Sequence, residues 1–191
     1  MKIVVSLICS CAALYTYSQN QTDTKNTVND SAWQKILAKR DQRFIGMPYN
    51  TFSFTTKDGV VFSNASLKGK VVFINFWFEA CPPCVAEFEE LNALYLKYKN
   101  DPKFIFVSFS SDSAEAVTAV QQKYHLSFPV VSISKQECYR LNQQNGFPTS
   151  IILNTAGEIQ FMHTGGSLEK EKIKLYFTTT LYPAIQKALD K

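Results

Sequence analysis

The sequence predicts a mixed α/β fold in three layers, α/β/α, with a β-hairpin added at its N-terminal side. Three observations carry that reading. Val71–Trp77 and Phe104–Phe109 are near-continuous apolar runs, as strands buried on both faces of a sheet require. Apolar residues between and after them recur at steps of three and four, the helical period. Strand and helix therefore alternate through the middle of the chain, which favours parallel pairing with right-handed crossovers.

In order, Ser31–Arg40 carries Trp33, Ile36 and Leu37 on one face of a short helix. Asn50–Thr56 and Val60–Ser63 flank Lys57-Asp58-Gly59, and Asp-Gly between β-prone runs signals a hairpin. Val71–Trp77 follows as the buried strand. Pro83–Lys99 is a helix with Cys84, Phe88, Leu91, Tyr95 and Tyr98 on its apolar face. Its proline falls in the first turn, with Glu87, Glu89 and Glu90 early and Lys97 and Lys99 late, as the helix dipole prefers. After the strand Phe104–Phe109, Asp112 with Glu115 three residues on reads as a capping box for a helix with Val117, Val120 and Tyr124 inward. Phe128–Ile133 is a strand, and Lys135–Asn145 a helix closed by Gly146. Thr149–Leu153 and Glu158–Thr164 form a second hairpin around Asn154-Thr155-Ala156-Gly157. Ser167 opens a last helix reaching Leu189, with Pro183 as a kink or break.

Composition removes several function classes. A chain of 191 residues with 46% hydrophobic and 19% charged residues builds a core and is neither disordered nor fibrous. A net charge of +4 from 20 basic and 16 acidic residues is too small and too mixed for a nucleic-acid or anionic-membrane surface. Two histidines weaken metal-centre and histidine-dependent hydrolase readings, and five cysteines are too few for a disulfide scaffold at this length.

Residues 1–18 read as a signal peptide: Met1-Lys2, an apolar stretch from Ile3 to Ala13, then Thr16-Tyr17-Ser18 before the cleavage point. The apolar stretch is too short to span a bilayer of about 30 Å. The alternative processing lipidates Cys11, since Ile8-Cys9-Ser10-Cys11 loosely matches a lipoprotein box. Both place the mature protein outside the cytoplasm, in the periplasm, either soluble or membrane-associated. Residues 19–43 then form a polar tether and short helix, and residues 44–191 the domain. Cys81, Cys84 and Cys138 remain after removal of the leader.

The chemistry concentrates at Cys81-Pro82-Pro83-Cys84. Two residues between the sulfurs allow them to close a small ring at a strand-to-helix junction. Cys81 falls at the helix tip, where free amides and the dipole favour thiolate, whereas Cys84 falls inside the first turn. Cys81 is therefore the attacking sulfur and Cys84 the resolving one. The Pro-Pro pair lacks two N–H donors that could stabilise the thiolate, which argues against a strongly oxidising couple.

Trp77-Phe78-Glu79-Ala80-Cys81-Pro82-Pro83-Cys84 resembles the active-site stretch of thioredoxin-like proteins, and Gly146-Phe147-Pro148-Thr149 resembles their cis-proline loop. The leader, the added hairpin and Ile74-Asn75-Phe76-Trp77 are most similar to the extracytoplasmic TlpA/ResA group. The resemblance covers Phe44 to Leu189. It implies a thioredoxin-like fold and a thiol–disulfide oxidoreductase that reduces partner-protein disulfides through a Cys81–Cys84 redox disulfide, with no cofactor. It also implies a membrane thiol donor upstream, and contacts to partners by Trp77, Pro82, Pro83, Phe147 and Pro148. Thioredoxin's buried Asp is replaced here by Asn75, which cannot exchange a proton with Cys84. The TlpA/ResA group instead carries a Glu three residues beyond the second cysteine, and Glu87 matches it.

Rival readings stay open. The same site supports oxidase or isomerase action, or a non-enzymatic metal-delivery module on the same fold. An inert disulfide or half a zinc site also fits Cys81 and Cys84, although Cys138, His125 and His163 lack paired ligand spacing and no metal is expected. Cys138 shares a face with Leu141 and reads as a buried small hydrophobe, and His163 as packing. Glu87 is either a proton acceptor for Cys84 or an ordinary helix-start acid.

Overall fold

The computed structural model describes residues 32–56 and 59–191. The leader, Cys11, most of the polar tether, and Lys57-Asp58 of the first turn lie outside the described residues. The chain divides into two units, residues 1–39 and 40–191. Residues 32–42 are helical (α1); of the expected apolar stripe, Leu37 is covered but Trp33 and Ile36 are exposed.

In the second unit, β1 (Ser53–Thr55) and β2 (Val61–Ser63) pair antiparallel as a separate two-stranded hairpin. A short helix, α2 (Asn64–Leu67), follows, with Ser63 and Ser66 in a reciprocal capping box that the sequence reading did not register. The main sheet holds five strands. β3 (Val71–Trp77) is central and pairs parallel with β4 (Phe104–Ser110) and antiparallel with β6 (Thr149–Leu153). β5 (Val130–Ser132) extends the sheet beyond β4, and β7 (Ile159–Thr164) beyond β6, giving the order β5-β4-β3-β6-β7. The sheet is thus mixed, parallel on one side of β3 and antiparallel on the other.

All seven residues of β3 are buried, because the pleat sends alternate side chains into two cores. Val71, Phe73 and Trp77 join one core, with α4 (Phe88–Tyr98), α5 (Ala114–Lys123) and the C-terminal helices. Val72, Ile74 and Phe76 join the other, with Phe52 and Phe62 of the hairpin and Cys138 and Leu141 of α6 (Lys135–Leu141). Each such side chain contributes about 1.5–3 kcal/mol when fully buried. These two cores make the three layers, so the expected fold class holds.

Several local expectations are corrected. The helix read as Pro83–Lys99 is two helices, α3 (Pro82–Ala86) and α4, which meet at Glu87. Ser113, not Asp112, caps α5, accepting from Ala116 N. Asp112 instead turns back to the first active-site loop, where its Oδ2 accepts from the Glu79 amide at 2.7 Å. Helix α6 stops at Leu141 and not near Gly146, since Gln143 and Gln144 take left-handed backbone. Ser167 caps no helix, because α7 (Lys170–Tyr176) begins three residues later. Pro183 sits in the first turn of α8 (Tyr182–Leu189), directly after a π-helical turn at Phe177–Leu181. That wider turn accommodates a residue with no N–H and a ring that would crowd the carbonyl four residues back.

One buried carboxylate fastens the loops near the site. Asp41 accepts from Thr164 N at 2.7 Å, Thr164 Oγ1 at 2.9 Å and Asn145 Nδ2 at 3.0 Å. Asn142 in turn donates to Asn145 O and Gly146 O, and Thr149 Oγ1 donates to Gly146 O. The Gly146–Thr149 loop is therefore held from behind by a connected polar network. Asp41→Ala strips an acceptor from three donors at roughly 1–3 kcal/mol each, part of it repaid by water. A net loss of about 3 kcal/mol lowers Tm by about 6–12 °C for a domain of this size. Thermal unfolding followed by circular dichroism checks it, and an unchanged Tm would show that the carboxylate fastens nothing.

Candidate active site

Strand β3 ends at Trp77, and the chain turns through residues 78–81 into α3. Cys81 is the extended residue preceding α3, and Pro82 and Pro83 occupy its first turn, where a missing N–H costs no helical bond. A disulfide joins Cys81 to Cys84, with Cα atoms 5.3 Å apart. Cys81 is the shallower sulfur residue, 5% exposed against 1% for Cys84. Both are covered by protein, so the tip position is less open than its place at a helix start implies.

The amides of the turn are already committed. Cys84 N and Val85 N donate to Cys81 O at 3.0 and 3.1 Å, and the Cys81 side chain caps no amide. Together with the two prolines, this leaves the first turn of α3 without an N–H aimed at the Cys81 sulfur. The helix behind it is also short, five residues before the break at Glu87. The strand-to-helix loop is anchored by the bond from Glu79 N to Asp112.

Glu87 lies one turn beyond Cys84 and is 3% exposed. Burial alone pushes its carboxyl up from the usual 4.5 to about 8. Glu87 precedes α4 without capping it, and burial outweighs the pull of that helix start. Its Oε1 approaches the space over Gly166, as do Pro148 Cγ and Pro83 Cβ. Glu87, Pro83 and Pro148, far apart in sequence, thus converge on one point. The Tyr176 hydroxyl is buried nearby without a hydrogen-bond partner, and burial with the Glu87 and Asp41 charges raises its pKa. The His163 ring stacks on Tyr176 at 4.5 Å, and burial lowers its pKa against the opposing pull of Asp41. His163 is packing, as expected, but packing against the residue that faces Glu87.

The Phe147–Pro148 bond is cis. Pro148 O accepts from Gly165 N at 2.9 Å, and ladder pairing of β6 begins only at Thr149. Phe147 therefore stays outside the sheet, its ring between those of Phe78 at 5.2 Å and Tyr139 at 5.6 Å. Pro82 is exposed and Pro83 half-buried at the rim. Of the other expected contact residues, Pro148 is buried, and so is Trp77. It is 0% exposed, packs edge-on against Phe88 at 5.0 Å, and donates from Nε1 to Ser108 Oγ at 2.8 Å. It belongs to the core that also holds Cys81 and Cys84. Asn75 is likewise buried, donating to Ser150 Oγ at 3.3 Å. Cys138 is free and fully buried, with its thiol pushed up to about 12 by burial and by Asp112 and Glu137.

Among the described residues, no group of three or more His, Cys, Asp or Glu side chains could hold a metal ion. Sequence reasoning missed Asp41, Gly166 and Tyr176, and read Asp112 only as a helix cap, because the Glu79 amide that it holds lies 33 residues away.

Residues 45–176 match the Redoxin family. The chain belongs to that family. Thiol-disulfide oxidoreductase ResA of Halalkalibacterium halodurans is 28% identical over 173 residues, covering 89% of this chain and 88% of that protein. Thiol-disulfide oxidoreductase ResA of Bacillus anthracis is 30% identical over 132 residues, covering 69% and 76%. The crystal structure of a putative thiol:disulfide interchange protein DsbE from Chlorobium tepidum has a TM-score of 0.63 at 24% identity, covering 74% of this chain and 97% of that one. That likeness bears on the fold, which is thioredoxin-like. This Redoxin protein is a thiol–disulfide oxidoreductase, as the residues around Cys81 and Cys84 imply.

Proposed function

We propose that the protein is an extracytoplasmic reductase of protein disulfides, with Cys81 as nucleophile, Cys84 as resolving thiol and Glu87 as proton acceptor. The observation that carries the direction is the first turn of α3. Pro82 and Pro83 have no N–H, and the amides of Cys84 and Val85 are spent on Cys81 O. A thiolate at Cys81 gains little stabilisation there, and a couple whose reduced form is not stabilised is a reducing one.

The reaction runs in two exchanges. The Cys81 thiolate attacks one sulfur of the partner disulfide, forming a mixed disulfide and expelling the partner's other sulfur as thiolate, which takes a proton from water. Cys84 then loses its proton to the Glu87 carboxylate and attacks Cys81 Sγ, releasing the second partner thiolate. Two electrons pass from the dithiol to the partner. The protein is left with the Cys81–Cys84 disulfide and a protonated Glu87, the state that a carboxyl titrating near 8 favours at neutral pH. Phe147, unpaired in the sheet, offers its backbone to an extended partner segment, Pro82 and Pro83 line the contact at the rim, and the buried Pro148 packs beside Pro83 behind it.

An upstream thiol donor at the membrane re-reduces the disulfide. The extracytoplasmic assignment rests on residues 1–18 as a leader, with lipidation of Cys11 as the anchored alternative; no helix among the described residues is long and apolar enough to cross a membrane. The test of direction mixes reduced protein with a disulfide-bonded protein, and oxidised protein with a reduced one. Fast reduction in the first arm and slow oxidation in the second is expected. The opposite ranking would make it an oxidase.

A further inference from the structure

We propose that Gly166 is a positioning residue for Glu87: the missing side chain at residue 166 is what lets the carboxylate lie under the active-site prolines. This rests on Glu87 being the proton acceptor for Cys84. A Cβ on Gly166 would stand 2.8 Å from Glu87 Oε1, 3.0 Å from Pro148 Cγ and 3.3 Å from Pro83 Cβ. The first distance is shorter than side chains tolerate, and the other two are tight. The backbone at Gly166 is not left-handed, unlike that of Gly165, Gly157 and Gly69. Conformational freedom is therefore not the reason for glycine here, and only the crowded space over residue 166 selects it.

The three neighbours differ in what they can yield. Pro83 is held in the first turn of α3. Pro148 is held by the bond from Gly165 N to its carbonyl and by the start of β6. Glu87 Oε1 is the free end of a side chain with three rotatable bonds, so a methyl group at residue 166 moves the carboxylate first. The titratable groups around it are Tyr176 of α7, which feels the Glu87 charge, with Asp41 and His163 acting on or packed against that ring, and Cys84 stands one turn earlier in the chain. No cation stands among them to recapture a displaced carboxylate. Gly166→Ala thus acts as a lever on Glu87 that leaves both cysteines in place.

The experiment follows decay of the mixed disulfide on Cys81 against pH in wild type, Glu87→Gln, Gly166→Ala and the double variant, with circular dichroism reporting the fold. Gly166→Ala is expected to slow decay about tenfold, shift the limb near pH 8, and leave the initial attack by Cys81 unchanged. Added to Glu87→Gln, it should cost nothing further, because the group it acts through is gone. A wild-type profile for Gly166→Ala beside an altered one for Glu87→Gln overturns the Gly166 assignment alone. A wild-type profile for Glu87→Gln overturns the reading on which it rests. Equal losses in both backgrounds would show that residue 166 acts by another route. Should Gly166→Ala fail to fold, Gly166→Ala/Glu87→Asp, which withdraws the carboxylate by one methylene, is expected to restore the fold. Failure of that pair would place the clash on the prolines and refute the assignment.

Discussion

Cys84→Ser is expected to leave a protein that attacks partners and cannot release them, while Cys81→Ser neither attacks nor traps. The reason is positional. Cys81 precedes the helix and is the shallower of the two, whereas Cys84 lies inside the turn with Phe88 and Leu91 of the same core beneath it. A partner disulfide can reach the first sulfur without unwinding α3. Without Cys84 the second exchange has no nucleophile, so mixed disulfides accumulate and turnover falls to the uncatalysed rate. Non-reducing electrophoresis with mass spectrometry of the adducts reads the result. Adducts on Cys81→Ser through Cys84, with none on Cys84→Ser, would reverse the two roles. Cys138 forms no adduct in either variant, since its buried thiol titrates near 12 and supplies almost no thiolate at neutral pH.

Glu87→Gln is expected to slow release of the reduced partner by about a hundredfold near neutral pH, the low end of what a positioned proton acceptor contributes. Cys84 is 1% exposed, and burial works against its thiolate. In wild type the release rate rises with pH as Glu87 ionises and levels off above about 8. In Glu87→Gln that limb disappears. Stability carries the same signature with a definite sign. The folded oxidised protein holds a proton on Glu87 up to about pH 8, while the unfolded chain gives it up near 4.5. The group's contribution is complete below 4.5, falls as pH rises through the interval, and is gone above 8. That slope amounts to about 4–5 kcal/mol at most. Denaturant unfolding of the oxidised protein at pH 5 and pH 8 should therefore show a difference in wild type that shrinks in Glu87→Gln. Parallel behaviour of the two proteins would reduce Glu87 to an ordinary helix-start acid.

What was legible in the sequence was what local pattern determines. The run Val71–Trp77 is buried residue by residue because a central strand has two covered faces, and no polar residue but Asn75 interrupts it. The Cys-Pro-Pro-Cys spacing at the end of that run places both sulfurs without knowledge of the rest of the chain. Boundaries set by competition between neighbours were harder. Asp112 and Ser113 are both good caps, and the choice went to Ser113 because Asp112 had a better use at the Glu79 amide. The helix breaks at Glu87 although its apolar period runs on through Phe88 and Leu91, so periodicity could not show it. The family resemblance implied a partner contact for Trp77, but the strand's last residue points into the core, where Ser108 accepts its N–H. Asp41, Gly166 and Tyr176 carried no sequence signal. Their roles arise from partners up to 123 residues away, which only the folded chain brings together.

The reduction potential of the Cys81–Cys84 couple, measured by equilibration with a glutathione buffer at pH 7, tests the reductase assignment most directly. With no N–H in the first turn free for the Cys81 sulfur, the reduced form is poorly stabilised. The expected value lies on the thioredoxin side, at or below about −220 mV. A value near about −120 mV, that of a strong disulfide donor, would contradict the assignment and make the protein an oxidase.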